Sequence, residues 1–223
     1  MLPLLTLWGG VPLKLVTGTD LVHVLITSAT SAISHYRGGM VDTRAGLLLG
    51  LSGIAGGLSG SFLSVSLSPF VLRVIYLGVV GLGAFILLMP LPLEFEGYRE
   101  GGFNRTWGVA IGLAVGSLAG LLGVGGGFIT VPLMVYWLKI PLRVAIGTSL
   151  LFIFITSLGT LWAKFSVGHI HVPITLLVLS GSIVGALIGP YVSRRIPVRL
   201  LRLALLSLLI TILVVFGYKT FLS

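Results

Sequence analysis

Residues 106–132 read TWGVAIGLAVGSLAGLLGVGGGFITVP, and this stretch decides the fold. Its first part is a run of apolar and small residues with glycine at 108, 112, 116 and 120. A glycine at every fourth position lays a bare ridge along one helix face, and in lipid such a ridge lets a second backbone approach closely. The run then breaks at Gly123, Val124, Gly125, Gly126 and Gly127. Each interior glycine weakens a helix by about 1 kcal/mol relative to alanine, so the spacing predicts a turn here and not a continued helix. A non-helical backbone at membrane depth is tolerated only where it is buried in protein or lines a watery cavity.

Outward from that stretch the whole chain reads as membrane protein. Crossing a hydrocarbon core of about 30 Å takes roughly 20 helical residues. Residues 16–36, 43–63, 70–89, 144–164, 173–192 and 200–218 meet that length, and 106–122 meets it if tilted. Residues 2–9 and 128–138 are apolar but too short, and are expected to re-enter without crossing. No barrel-like alternation appears, which leaves a helical bundle. Only 9% of the 223 residues are charged and 56% are hydrophobic, against roughly 25% charged in soluble domains, so a cytosolic enzyme is excluded. The chain lacks cysteine, which excludes a disulfide scaffold. Its net charge of +9 is spread singly between apolar runs. That is the pattern of membrane loops and not the continuous patch of a nucleic-acid binder.

An internal repeat organises the bundle. Shifting the chain by 129 positions pairs residues 2–94 with 131–223 without a gap, and aligns Pro3 with Pro132, Trp8 with Trp137, Gly18-Thr19 with Gly147-Thr148, and Thr27-Ser28 with Thr156-Ser157. The expected fold is therefore all-α: a polytopic transmembrane bundle of about seven spanning helices plus short re-entrant segments. Residues 1–94 form the first repeat, 95–105 a linker, and 106–223 the second repeat. The first repeat has no counterpart of residues 106–130, so on the order of 25–30 further residues are expected upstream. If 128–138 does not cross, the two repeats are parallel. Linker 90–105 is then placed outside, and Lys139, Arg143, Arg194, Arg195, Arg199 and Arg202 inside.

Candidate site residues follow from depth and chemistry. The turn Gly123, Gly125, Gly126 and Gly127 converges amide groups ahead of a short helix, whose N-terminus favours an anion. If these amides bind a ligand, Gly126→Val is expected to abolish that function without loss of the protein. Thr19, Thr148, Ser149, Thr156 and Ser157 add hydroxyls at repeat-related positions, as substrate contacts or as packing hydrogen bonds. Asp20 lies inside an apolar segment, where a carboxylate usually faces a cavity or a partner. With His23 three residues on, it is a candidate for proton coupling, or else a helix cap. His169 and His171 are too few for a metal site, and no nucleophile with a base stands out, so no metal, cofactor or catalytic residue is expected.

The segment Gly120–Pro132, followed by Gly147-Thr148-Ser149-Leu150, resembles the signature of the sulfite exporter TauE/SafE family of membrane permeases. Residues 16–20 and 35–42 are similar to that family's first half. The resemblance implies a multi-pass permease of the prokaryotic plasma membrane that moves sulfite, an organosulfonate or a related small anion. Asp20 departs from the symmetric pattern, because its partner in the second repeat is Ser149. The expected function is secondary anion transport by alternating access. Its partners are a small anionic substrate and the lipid bilayer, and a homo-oligomer is compatible with the chain. An anion channel or a non-transporting assembly subunit is the alternative.

Overall fold

The computed structural model describes residues 13–89, 98–123, 126–166, 185, 188–189, 192 and 195–222. Among them lie seven helices and no strand: α1 (Leu13–Arg37), α2 (Thr43–Ser66), α3 (Pro69–Leu88), α4 (Arg105–Leu122), α5 (Gly127–Trp137), α6 (Leu142–Ser166) and α7 (Val198–Leu222). Five of these, α2, α3, α4, α6 and α7, are long and apolar enough to cross a membrane. α1 has the length, at 25 residues, but Asp20, His23 and a series of hydroxyls make it more polar. Of the expected span at 173–192, only residues 185, 188–189 and 192 are described, and they are helical. α6 starts and ends 129 positions after α1, which is the offset read in the sequence.

Local signals set the helix ends. Asp42 caps α2 by accepting the Ala45 N–H, Ser68 caps α3 ahead of Pro69, and Asn104 caps α4. Backbone contact then holds α2 to α4. A Cβ added at Gly116 would overlap the Gly53 carbonyl, one at Gly120 the Gly57 carbonyl, one at Gly56 the Leu113 carbonyl, and one at Gly60 the Ser117 carbonyl. The ridges of glycine thus lie main chain on main chain, with Ser61 Oγ donating to the Gly120 carbonyl at 3.3 Å. The register stays constant over two turns, so α2 and α4 run in the same direction. α6 also runs with α2: Leu151 sits at Gly46, Ile155 at Gly50 and Thr160 at Gly57.

Those directions determine how the chain passes through the bundle. Because α4 and α6 are both parallel to α2, the segment between Leu122 and Leu142 must travel from one end of the bundle to the other. α5 makes the second half of that passage through the interior, with Met134 and Val135 fully buried. α3 and α7 run antiparallel: Tyr76 meets Phe216 edge-on at 5.0 Å, Leu213 lies at Gly81, and Arg202 donates to the Leu87 carbonyl. α1 turns into α2 through residues 38–42, a loop packed on the start of α6, so α1 and α6 are antiparallel too. Helices matched by the 129-residue offset therefore point in opposite directions. The parallel arrangement expected from sequence is overturned, because the short segment climbs where it was expected to turn back.

The same geometry gathers the termini of α1, α3 and α5, the linker, and the starts of α2, α4, α6 and α7 at one end. The linker thus shares its end with Lys139 and Arg143, which the sequence had placed opposite it. Glycine contact predicts a sharp contrast between two alanine substitutions. Gly116→Ala must push two backbones apart and is expected to lower stability by about 1–3 kcal/mol. Gly78→Ala, with nothing within 4 Å of an added Cβ, is expected to be neutral or slightly stabilising. Thermal unfolding in detergent checks this, and equal melting of the two variants would contradict it.

Candidate functional site

The glycine turn lies deep in the bundle. α4 ends on Gly123 in the left-handed conformation (φ 72°), whose N–H donates to the Ala119 carbonyl at 2.7 Å. α5 begins after Gly126, also left-handed (φ 67°) and buried. A Cβ on Gly126 would lie 2.8 Å from Val115 Cγ1, and one on Gly127 would lie 2.5 Å from Ile153 Cδ1. Val115 and Ile153 are near the midpoints of α4 and α6, so α5 starts at half the depth of the bundle. Val124 and Gly125 lie outside the described residues.

At this start the Gly126 carbonyl accepts the N–H groups of Ile129 and Thr130 and the Thr130 hydroxyl, at 3.2, 3.1 and 2.8 Å. Gly127 and Phe128 contribute the next two N–H groups, at the very start of α5. They belong to the first turn, where α-helical geometry offers no partner and the helix dipole is positive. Glycine is required at 126 by the positive φ and by the wall of Val115. Gly126→Val is therefore expected to cost the folded protein, unlike the clean loss of transport that the sequence suggests.

α6 divides the predicted hydroxyls between two faces. Ser149 and Ser157 stand one turn before and after Ile153, on the side that meets the start of α5, and both are buried. Ser149 Oγ donates to its own helix at the Ile146 carbonyl, 2.8 Å away. Thr148 and Thr156 face α2. Thr148 Oγ1 accepts the Asp42 N–H at 2.8 Å, and Thr156 packs beside Gly53 with a hydroxyl that has no partner among the described residues. Thr19 belongs to α1, but its side chain lies outside the described residues, as do His169 and His171.

Asp20 and His23 sit on α1. Asp20 is only 3% exposed, and its Oδ1 lies 3.5 Å from His23 Nδ1. Neither atom has a hydrogen-bond partner among the described residues. Asp20 also stands within electrostatic reach of Tyr76 on α3. The pair is two turns in from the end opposite the linker, whereas Ser149 is two turns in from the linker end. No group of three or more potential metal ligands occurs among the described residues.

Asp42 emerges as a joint that the sequence reading missed. It is 1% exposed, and its carboxylate accepts the Ala45 N–H at 2.8 Å, the Gly101 N–H at 2.9 Å and the Tyr98 hydroxyl. Through its own N–H it holds Thr148, while the Met40 carbonyl presses on Gly147. The Gly147-Thr148 pair thus docks the α1–α2 loop, and the linker is tied to the same point. Beside it Glu100 accepts the Thr43 N–H at 2.9 Å and the Thr43 hydroxyl. The bonds from Thr43, with help from the Arg44 charge, hold the Glu100 carboxyl below its usual range despite the opposing effect of burial.

A depressed carboxyl stabilises above its unfolded pKa, and that contribution disappears as pH falls through the folded value. Linker docking is therefore expected to loosen on acidification, with a contribution below about 1 kcal/mol for so exposed a group. Amide exchange over residues 98–104 between pH 7 and pH 3 reads this. Glu100→Gln should flatten the profile; an unchanged profile in that variant would contradict the assignment.

Comparison with known proteins gives the family. The family model described as "Sulfite exporter TauE/SafE" matches residues 1–216. Probable membrane transporter protein YdhB of Bacillus subtilis is 28% identical, covering 92% of this chain and 85% of its own. Probable membrane transporter protein YunE of the same organism is 25% identical, at 92% and 81% coverage. Probable membrane transporter protein MJ0441 of Methanocaldococcus jannaschii is 24% identical, at 93% and 82%. No solved structure matches the chain. A polytopic helical bundle matched by this family over nearly its whole length is a multi-pass membrane transporter, and the chain belongs to the sulfite exporter TauE/SafE family.

Proposed function

We propose that this transporter carries a small oxyanion, sulfite or an organosulfonate, by alternating access, and binds it at the start of α5. The observation that carries the proposal is the position of the Gly127 and Phe128 N–H groups: first-turn donors of a helix that begins at mid-depth. A helix N-terminus carries roughly half a positive charge, and a low-dielectric surround strengthens its pull on an anion. Ser149 and Ser157 flank this point, and each can turn its hydroxyl to donate to the bound anion. Thr148 and Thr156 support the site through α2. The family description supports sulfite as the cargo.

Asp20 and His23 are the proposed proton-coupling pair. Asp20 is a buried acid in an apolar segment with His23 beside it, the kind of intramembrane ionisable pair that lines ion and proton paths. Its separation from the α5 start lets proton and anion bind without sharing ligands.

Charge sets the orientation. Arg37, Arg44, Arg99, Arg105, Lys139, Arg143, Arg195, Arg199 and Arg202 gather at the linker end, against Lys14, Arg73, Lys164 and Lys219 at the other. The excess of basic residues faces the cytoplasm, so the linker is inside, reversing the sequence expectation.

Two measurements test this reading. In proteoliposomes, Ser149→Ala is expected to lower sulfite flux about tenfold, and Asp20→Asn to remove its dependence on a pH gradient. Wild-type flux with unchanged pH dependence in both variants would refute the site. For orientation, the cysteine-free chain allows single-cysteine labelling in intact cells. Arg73→Cys should react with an impermeant maleimide while Arg99→Cys reacts only after permeabilisation; the reverse pattern would place the linker outside.

A further inference from the structure

A second cationic site lies at the linker end, away from the start of α5. A cavity of about 390 Å³ opens between the end of α3 and the first turns of α7, lined by Leu87, Leu88, Arg199, Arg202, Leu203 and Leu206. Arg202 is fixed there, because its Nε and Nη2 donate to the Leu87 carbonyl at 2.9 and 2.6 Å, and Nη2 also donates to the Met89 carbonyl. Arg199 stands one turn earlier on the same helix and is exposed. Among the described residues neither guanidinium pairs with a carboxylate. Both arginines also lie near the N-terminus of α7, where the helix dipole is already positive and a cation is disfavoured. Two guanidiniums and a helix start of the same sign need an anion beside them.

The walls identify the kind of anion. Leu88 is 60% exposed and Leu203 59%, so a broad apolar surface begins directly beside the charges. A soluble anion would leave that surface bare, whereas a phospholipid fits both parts. Its phosphate would meet the arginines and its acyl chains the leucines, in the manner of basic pockets between transmembrane helices. We propose that this cleft binds an anionic phospholipid of the leaflet at the linker end, and that the lipid clamps the end of α3 to the start of α7.

Native mass spectrometry of the full chain in mild detergent tests this, with phosphatidylglycerol as the probe and phosphatidylethanolamine as the comparison. Wild type is expected to retain phosphatidylglycerol selectively. Arg199→Gln should reduce the retained lipid at least fivefold, while Arg105→Gln, at the same end but outside the cleft, should not. Arg199 is the residue to change, because Arg202 also caps α3 and its loss risks the fold. Equal retention of the two lipids by wild type, or full retention by Arg199→Gln, would overturn the proposal. So would displacement of the lipid by an equal concentration of glycerol phosphate, which would mark a soluble-anion site. Selective binding that appears only in a Glu94→Gln/Glu96→Gln variant would show that the linker's own acids fill the cleft, and would overturn it as well.

Discussion

A main-chain amide inside a hydrocarbon slab has no water to bond to, so every residue there must join a helix, meet a side chain or face a ligand. This transporter interrupts its helices at half depth, between α4 and α5, and the rest of its architecture accommodates that break. α4 and α6 stand on either side, parallel to each other, and supply Val115 and Ile153 as walls. α5 then carries the chain to the opposite end through the interior. A break in this position leaves the first-turn amides of α5 among protein atoms. There an anion gains more from them than it would in water.

The walls can close around the break only because α2 and α4 approach to backbone contact. At Gly53, Gly57, Gly116 and Gly120 no side chain separates the two main chains, and hydroxyls take the remaining polar positions. The opposite directions of α1 and α6, and of α3 and α7, add a second consequence. Two halves of similar sequence present different chemistry toward opposite ends: Ser149 beside the turn in one and Asp20 beside His23 in the other.

Much of this was legible in the residues. Four-residue glycine spacing foretold close backbone packing along residues 106–122, without naming α2 as the partner, and the run from Gly123 to Gly127 foretold the break, because glycine's cost in a helix is local and known. The offset of 129 anticipated the common bounds of α1 and α6. Direction was not legible. Eleven residues are too few to cross a bilayer, and nothing local says that α5 starts halfway along the path. That single misreading also set the linker at the end opposite Lys139 and Arg143, since loop charges can be counted only once the crossings are known. The faces of α6 were hidden for a related reason. Thr148 and Ser149 are neighbours in sequence but point about 100° apart on a helix, one to Asp42 and one to the turn. Asp42 drew no separate role from its sequence, although its carboxylate ties the start of α2 to the linker and its N–H reaches α6.

The central claim is that the amides at the start of α5 bind the anion, and one labelling scheme isolates one of them. Carbonyl-¹³C glycine with ¹⁵N phenylalanine selects only amides of Gly-Phe pairs, and this chain has two, at Phe103 and Phe128. Sulfite titration of the reconstituted protein is expected to shift the Phe128 resonance saturably and leave Phe103, beyond the bundle's interior at the linker end, unmoved. A stationary Phe128 signal in protein that transports sulfite would contradict the account.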